Sequence, residues 1–187
     1  MKYYLASKSP RRKELLKKII SDFVIYESNI EEKLDLNFDI SCSIMSVAFQ
    51  KADFIYKNIN LIEPAIIISA DTVVYLDEIL QKPKNKDDAR IMLKKLSGNT
   101  HFVYTGFCII NTEKNIKILD FEKTEVKFKN LSKLEIEQYI ETKEPYDKAG
   151  GYAIQGIAAK FIEKINGDYY NVVGLPLCKL NKILMDM

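Results

Sequence analysis

The sequence predicts an α/β protein built on a mixed sheet, and three observations predict it. Short apolar runs alternate with stretches whose apolar residues recur at helical spacing, the pattern of strands joined by helices. The run Ile66, Ile67, Ile68 is continuous rather than alternating, as in a strand covered on both faces. Two long strand candidates, His101 to Asn111 and Asn115 to Lys129, are separated only by a polar turn around Thr112 to Lys114, and such a hairpin makes the sheet mixed.

The first strand is the buried run Tyr3 to Ala6. In "SKSPRR" that follows, Ser9 is placed to cap a helix and Pro10 to occupy its first position, leaving backbone N–H groups facing outward. Leu15, Leu16, Ile19 and Ile20 form the apolar stripe of that helix. Helix starts favour acids, yet Arg11 and Arg12 stand in the first turn, a local conflict that a bound anion would remove. The competing reading is a capped surface helix with two solvated arginines. Phe23 to Tyr26 reads as a second strand, followed by the acidic turn "NIEEKLD". A second helix is predicted from near Ser41 to Lys57, with Ile44, Ala48, Lys51 and Ile55 on its inward stripe. Either the Lys51 stem packs there while its ammonium snorkels to water, or an anion sits at the end of the row.

"AIIISADTVVYLDEIL" reads as two strand-like runs interrupted at Asp71, so Asp71 and Thr72 are expected at a strand end, where open sheets bind ligands. "DEIL" is the return of a hairpin carrying Lys82 and Pro83 close to Asp71. Asn85, Asp87, Asp88 and Gly98 punctuate a third helix, and Ser132 with Glu135 spells a capping box for a fourth through about Glu141. "YDKAGGYAIQG" is a glycine-rich loop that either approaches a ligand or makes a tight turn. "AAKFIEKI" reads as a strand, "NGD" as a turn, and Pro176 to Met185 as a closing helix.

The 187 residues suffice for one domain or two small lobes. With 28 basic against 26 acidic residues the net charge is +2, without the one-sided excess of a duplex-binding protein, so no nucleic-acid partner is expected. Small anions remain suitable ligands, because a few convergent cations in a cleft hold them. The longest strongly apolar stretch, Ala65 to Ala70, is too short to span a bilayer, and the first residues lack the apolar core of a secretion signal. Cys42, Cys108 and Cys178 are odd in number and widely spaced, which fits reduced thiols; a cytoplasmic protein without membrane association is expected. His101 is the one histidine and has no evident partner, so a catalytic metal should be a hard cation on carboxylates, Mg²⁺ or Mn²⁺.

Glu31, Glu32 and Asp71 are the candidate acids. Two carboxylates brought together can hold a divalent cation. Glu31 and Glu32 could equally be a solvated turn, and Asp71, after an isoleucine-rich run, either caps a loop or does chemistry. Arg11, Arg12, Lys51 and Lys82 supply cations at helix starts, stripe ends or strand ends, together a set suited to a triphosphate and its metal. The P-loop pattern is absent, and "AGGYAIQG" lacks Rossmann spacing.

"LASKSPRRKELL", "IEE", "QKA", "SADTVV", "KP", "LSGNTHFVYTG", "EPYDKAGGYAIQG" and "YYNVVGLP" resemble, in order from Leu5 to Pro176, the signature blocks of the Maf family of nucleoside triphosphate pyrophosphatases. The resemblance implies an inosine-triphosphatase-like fold, a long mixed bent sheet with flanking helices forming a cleft between two lobes of a single domain. It implies cytosolic, housecleaning hydrolysis of a nucleoside triphosphate between its α and β phosphates with a divalent metal, by a homodimer. By motif, Asp71 is the general base or metal ligand, Glu32 the second acid, and Lys82 a third catalytic group. Ser7, Ser9, Arg12 and Lys51 fall at phosphate-binding positions. Arg11, Thr72 and Gln155 fall where the family separates substrate classes, and they resemble the dTTP/UTP branch. Rival readings are pyrophosphatase action on modified or other nucleotides such as 7-methyl-GTP or CTP, and a nucleotide-binding regulator of septum formation with little turnover.

Overall fold

The computed structural model describes residues 1–28, 30, 32, 34–35, 37–60 and 63–187. Glu31, one of the candidate acids, lies outside the described residues. The elements are β1 (Lys2–Ala6), α1 (Pro10–Leu16), β2 (Val24–Ile25), α2 (Ile40–Asn58), β3 (Ala65–Leu76), β4 (Glu78–Leu80), α3 (Lys86–Leu96), β5 (Thr100–Asn111), β6 (Ile116–Phe128), α4 (Lys133–Ile140), β7 (Ile162–Asn166), α5 (Tyr169–Val173) and α6 (Leu177–Asp186). The strands form one mixed sheet in the order β2-β1-β3-β5-β6-β7, with β4 paired to β3. The α/β class read from the sequence is therefore present. Among the described residues no helix is long and apolar enough to cross a membrane.

The chain divides into two compact units. The first holds residues 1–71, 105–122 and 174–187. Here β1 pairs in parallel with β2 and with β3, Tyr4 facing Val24 on one side and Ile67 on the other. Helix α2 covers this region: Ala48, Ala52 and Ile55 pack with Tyr4, Ala6, Ile67, Cys108 and Ile110. The helix lies close because position 106 is glycine, where an added Cβ would stand 2.7 Å from the backbone carbon of Ile44. Burying a row of this kind stabilises by about 1.5–3 kcal/mol for each large aliphatic side chain. The predicted inward stripe is confirmed at all four positions, with Ile44, Ala48 and Ile55 fully buried and Lys51 only 4% exposed.

The second unit holds residues 72–104 and 123–173. Its core joins α3 and α4 to the sheet through Leu93, Leu96, Ile136 and Tyr139, which pack with Val103, Val126, Phe128 and Phe161. Both helix starts behave as their sequences predict. Asn85 accepts from the Asp88 amide at 2.9 Å, and Ser132 and Glu135 cap reciprocally. The hairpin to β4 turns at Asp77, whose φ is 57°, and pairs Val74 with Leu80.

Three local expectations are corrected, and one helix is present that the sequence reading did not predict. Helix α1 ends at Leu16, and Ile19 and Ile20 continue as a turn held by bonds to the Leu16 carbonyl. Strand β3 runs without a break through Asp71, because a ladder uses only backbone groups and tolerates a polar side chain that finds a partner. The first half of "AAKFIEKI" is a 3-10 turn over Ile157–Phe161, and only the second half is β7. Helix α5, rich in β-branched and aromatic residues, gave no helical signal; Asp168 starts it by accepting from the Tyr170 amide at 2.7 Å.

His101 also differs from expectation, since it has a partner. It is fully buried, its Nε2 lies 2.7 Å from the Tyr152 hydroxyl, and its ring meets Phe128 and Tyr152 edge to face. Burial pulls its pKa down to about 4. The unfolded chain, with an ordinary value of about 6.5, then binds more protons than the folded one between these two values. Stability should be complete above the unfolded value and fall as pH drops from about 6.5 toward about 4, by about 3 kcal/mol in all. Melting curves of the protein and of His101→Gln across that window check this; equal acid slopes would contradict it.

Candidate active site

The site grows from the ends of β1 and the face of α2 in the first unit. At the exit of β1, Ser7 is nearly buried and its Oγ accepts from the Ser9 amide at 3.2 Å and from Nη1 of Arg12 at 3.3 Å. Ser9 caps α1, its Oγ accepting from the Arg12 amide at 3.4 Å. Hydroxyls that already accept keep their proton for donation, the polarity an anion requires. The predicted outward-facing amides are partly taken up, since the Arg12 amide goes to Ser9 Oγ and the Lys13 amide to the Ser9 carbonyl. The anion-binding character of this turn therefore rests on side chains more than on the helix end.

Arg12 does not stay in conflict with the helix start. Its Nε donates to the Gly174 carbonyl at 2.9 Å, which with the Ser7 bond fixes the plane of the guanidinium. Burial lowers its pKa from the ordinary arginine value, while the nearby charges of Asp71 and Glu32 oppose that shift and Arg11 adds to it. An arginine keeps its charge under such a shift. Among the described residues the half-buried Arg11 has no ion pair or hydrogen bond from its side chain, so the predicted conflict persists at that residue alone.

Lys51 is the centre of the cluster. Its position on the buried row of α2 places its Nζ 2.7 Å from Asp71 Oδ1 on β3 and 2.9 Å from Glu32 Oε1. The snorkelling alternative is overturned, because the side chain is 5% exposed and its charge is met by two carboxylates rather than by water. Asp71 is itself only 15% exposed, whereas Glu32 is 51% exposed. Thus Ser7, Ser9, Arg12, Lys51, Glu32 and Asp71, drawn from four separate stretches of sequence, are brought together in this unit.

Two carboxylates within reach of one cation also fit a divalent metal of the Mg²⁺ type, which takes one or two protein carboxylates and completes its shell with water and phosphate oxygens. Among the described residues no group of three or more His, Cys, Asp or Glu forms; Glu32 and Asp71, which meet at the Lys51 ammonium, are the two carboxylates that could contribute to such a site.

The remaining predicted residues belong to the second unit. Thr72 follows Asp71 on β3, half-buried. Lys82 is exposed in the segment after β4, and that segment is held by the glycine-rich loop: the Gly150 amide donates to the Gln81 carbonyl at 3.1 Å, and Gly151 leaves room beside Pro83. Those glycines do make a tight turn, with φ of 70° and 71°. Gln155 is exposed, in a turn closed by the Gly156 amide bonding to the Ala153 carbonyl. Sequence reasoning missed Gly174 and Glu144. Their only signal was membership of the "VVGLP" and "EPYDKAGG" blocks, since what they contribute, a carbonyl and a three-way acceptor, has no local pattern.

Buried paired charges, a fixed guanidinium and donor hydroxyls on an α/β sheet define a class: proteins that handle anionic, phosphate-bearing ligands with acid groups at hand. More narrowly, the chain belongs to the Maf family, as the model of Maf-like proteins matches residues 2–187. A dTTP/UTP pyrophosphatase of Clostridium perfringens is 50% identical over 186 residues, covering 98% of this chain and 96% of its own. One from Thermoanaerobacter pseudethanolicus is 51% identical over 185 residues, covering 98% and 95%. Among solved structures, the Staphylococcus aureus Ham1 protein aligns over 68% of this chain and 72% of its own, at 11% identity and a TM-score of 0.47.

Proposed function

We propose that this chain is a nucleoside triphosphate pyrophosphatase that hydrolyses dTTP and UTP to the monophosphate and pyrophosphate. The observation that carries the reading is the Lys51 ammonium shared by Asp71 and Glu32 beside Arg12, within a chain half identical to proteins named dTTP/UTP pyrophosphatase. In this reading Ser7, Ser9 and Arg12 bind phosphate oxygens, and Lys51 holds Asp71 in place through its 2.7 Å bond while adding positive charge. Asp71 accepts the proton of the water that adds across the α–β anhydride. A divalent cation held by Glu32 and Asp71 would supply Lewis-acid neutralisation of the triphosphate. Lys82 is assigned to the phosphates, and Arg11, Thr72 and Gln155 to substrate choice, by their places in the family motifs.

Pyrophosphate release from dTTP, UTP, CTP and 7-methyl-GTP, in Mg²⁺ and in Mn²⁺, tests this. We expect dTTP and UTP to be cleaved fastest, and Gln155→Ala to lower their preference over CTP by about tenfold, the worth of one well-placed polar contact. Faster cleavage of 7-methyl-GTP would reassign the substrate. Binding without product in either metal would replace the enzyme by a nucleotide-binding regulator.

A further inference from the structure

Glu144 is used neither by the site above nor by the core, yet it is the acceptor for three donors. Tyr139 Oη donates to its Oε1 at 2.9 Å, the Ala158 amide to the same oxygen at 3.1 Å, and the Ile157 amide to Oε2 at 2.8 Å. The Tyr139 ring is buried, and burial, with Glu144 beside it, raises its pKa above the ordinary tyrosine value, so the phenol remains a donor. The carboxylate reaches these amides because residue 156 is glycine. A Cβ there would stand 2.1 Å from Oε2 and 2.5 Å from Oε1. Gly156 has φ −105°, a conformation open to any L residue, so the glycine serves the approach of Glu144 and not the backbone.

The turn held in this way is the one that presents Gln155. Upstream it is anchored by Tyr152 and Ile154, both buried, with the Tyr152 hydroxyl on His101. Downstream, Gly156 is followed at once by the two amides that Glu144 holds. Charge-assisted bonds of this type are the stronger class; two of them hold the backbone just after Gln155, while the third, from Tyr139, fixes the carboxylate itself. Among the described residues the exposed Gln155 carboxamide has no hydrogen bond of its own, so the backbone that carries it sets the point from which it projects.

We infer that Glu144 is a positioning residue for base choice: by holding the 156–158 backbone it aims the Gln155 carboxamide, and Gly156 is glycine to admit it. The inference rests on the proposed role of Gln155. It is tested on the full chain with kcat and KM for dTTP and CTP in the parent, Gln155→Ala, Glu144→Ala, Glu144→Gln, Gly156→Ala and the Glu144→Ala/Gly156→Ala double variant, each checked for folding by thermal melting.

Glu144→Ala and Gly156→Ala should each lower the dTTP over CTP preference about tenfold, through KM for dTTP, with kcat within about threefold. The double variant should be no worse than Glu144→Ala, because the added methyl has nothing to strike once the carboxylate is gone. Glu144→Gln, which retains one oxygen for Tyr139 and Ala158, should recover part of the preference and is the variant to read if the alanine change unfolds the chain. A preference unchanged within twofold in Glu144→Gln and Gly156→Ala, while Gln155→Ala abolishes it, would overturn the inference and leave the proposed function standing. An unchanged preference in Gln155→Ala would remove the assigned role of Gln155 and this inference with it.

Discussion

Asp71→Asn is expected to lower pyrophosphate release from dTTP by about three orders of magnitude, with the melting temperature displaced by only a few degrees. Asparagine keeps an oxygen where Lys51 Nζ now bonds Oδ1 at 2.7 Å, so α2 and β3 stay joined. What disappears is the charge and the ability to take up a proton, and positioned proton transfer contributes typically 10²–10⁴-fold. The loss should appear in kcat and kcat/KM together, because the interaction is made in the transition state rather than in the bound substrate. Turnover within about tenfold of the parent in a folded Asp71→Asn protein would remove Asp71 from its role.

Lys51→Met separates the structural part of the cluster from the chemical part. The methionine stem fills most of the space on the apolar row of α2, where Ile44, Ala48 and Ile55 are fully buried. Removing the ammonium leaves Asp71 and Glu32 close together without a shared cation. Breaking a fully buried pair costs about 3–5 kcal/mol. Here Glu32 retains half its exposure, so a loss of about 1–3 kcal/mol is expected, about 3–10 °C in melting temperature for a chain of this size. Activity should fall at least about a hundredfold with the loss of a phosphate-neutralising charge. The double variant Lys51→Met/Asp71→Asn should melt higher than Lys51→Met alone, because the like-charge repulsion is relieved, a coupling that a double-mutant cycle reads directly. Equal melting of the two would show that repulsion is not what the ammonium offsets.

Much of the candidate site could be read before any coordinates. Ser9 and Pro10 set the start of α1 by local chemistry, and the spacing of Ile44, Ala48, Lys51 and Ile55 put a lysine on a buried row. Spacing alone left that lysine either snorkelling to water or facing an anion, and only the contacts with Asp71 and Glu32 decide between them. Asp71 read as a strand end because polarity interrupts an apolar run, but β3 continues through it for five more residues, to Leu76. The ladder depends on the neighbouring strands, which the run itself does not encode.

The sequence by itself determined most of the order of helices and strands, the caps of α1, α3 and α4, the place of Lys51 on the inward row of α2 and the set of charged groups near turns, since each follows from spacing and chemistry within a few residues. Tertiary structure alone decided that Lys51 meets Asp71 and Glu32, that Arg12 is fixed by the carbonyl of Gly174 at a separation of 162 residues, and that Glu144 holds the turn after Gln155. Periodicity fixes which face of an element is buried. Which groups face one another across that burial depends on how distant segments pack, and that is set only when the whole sheet is assembled.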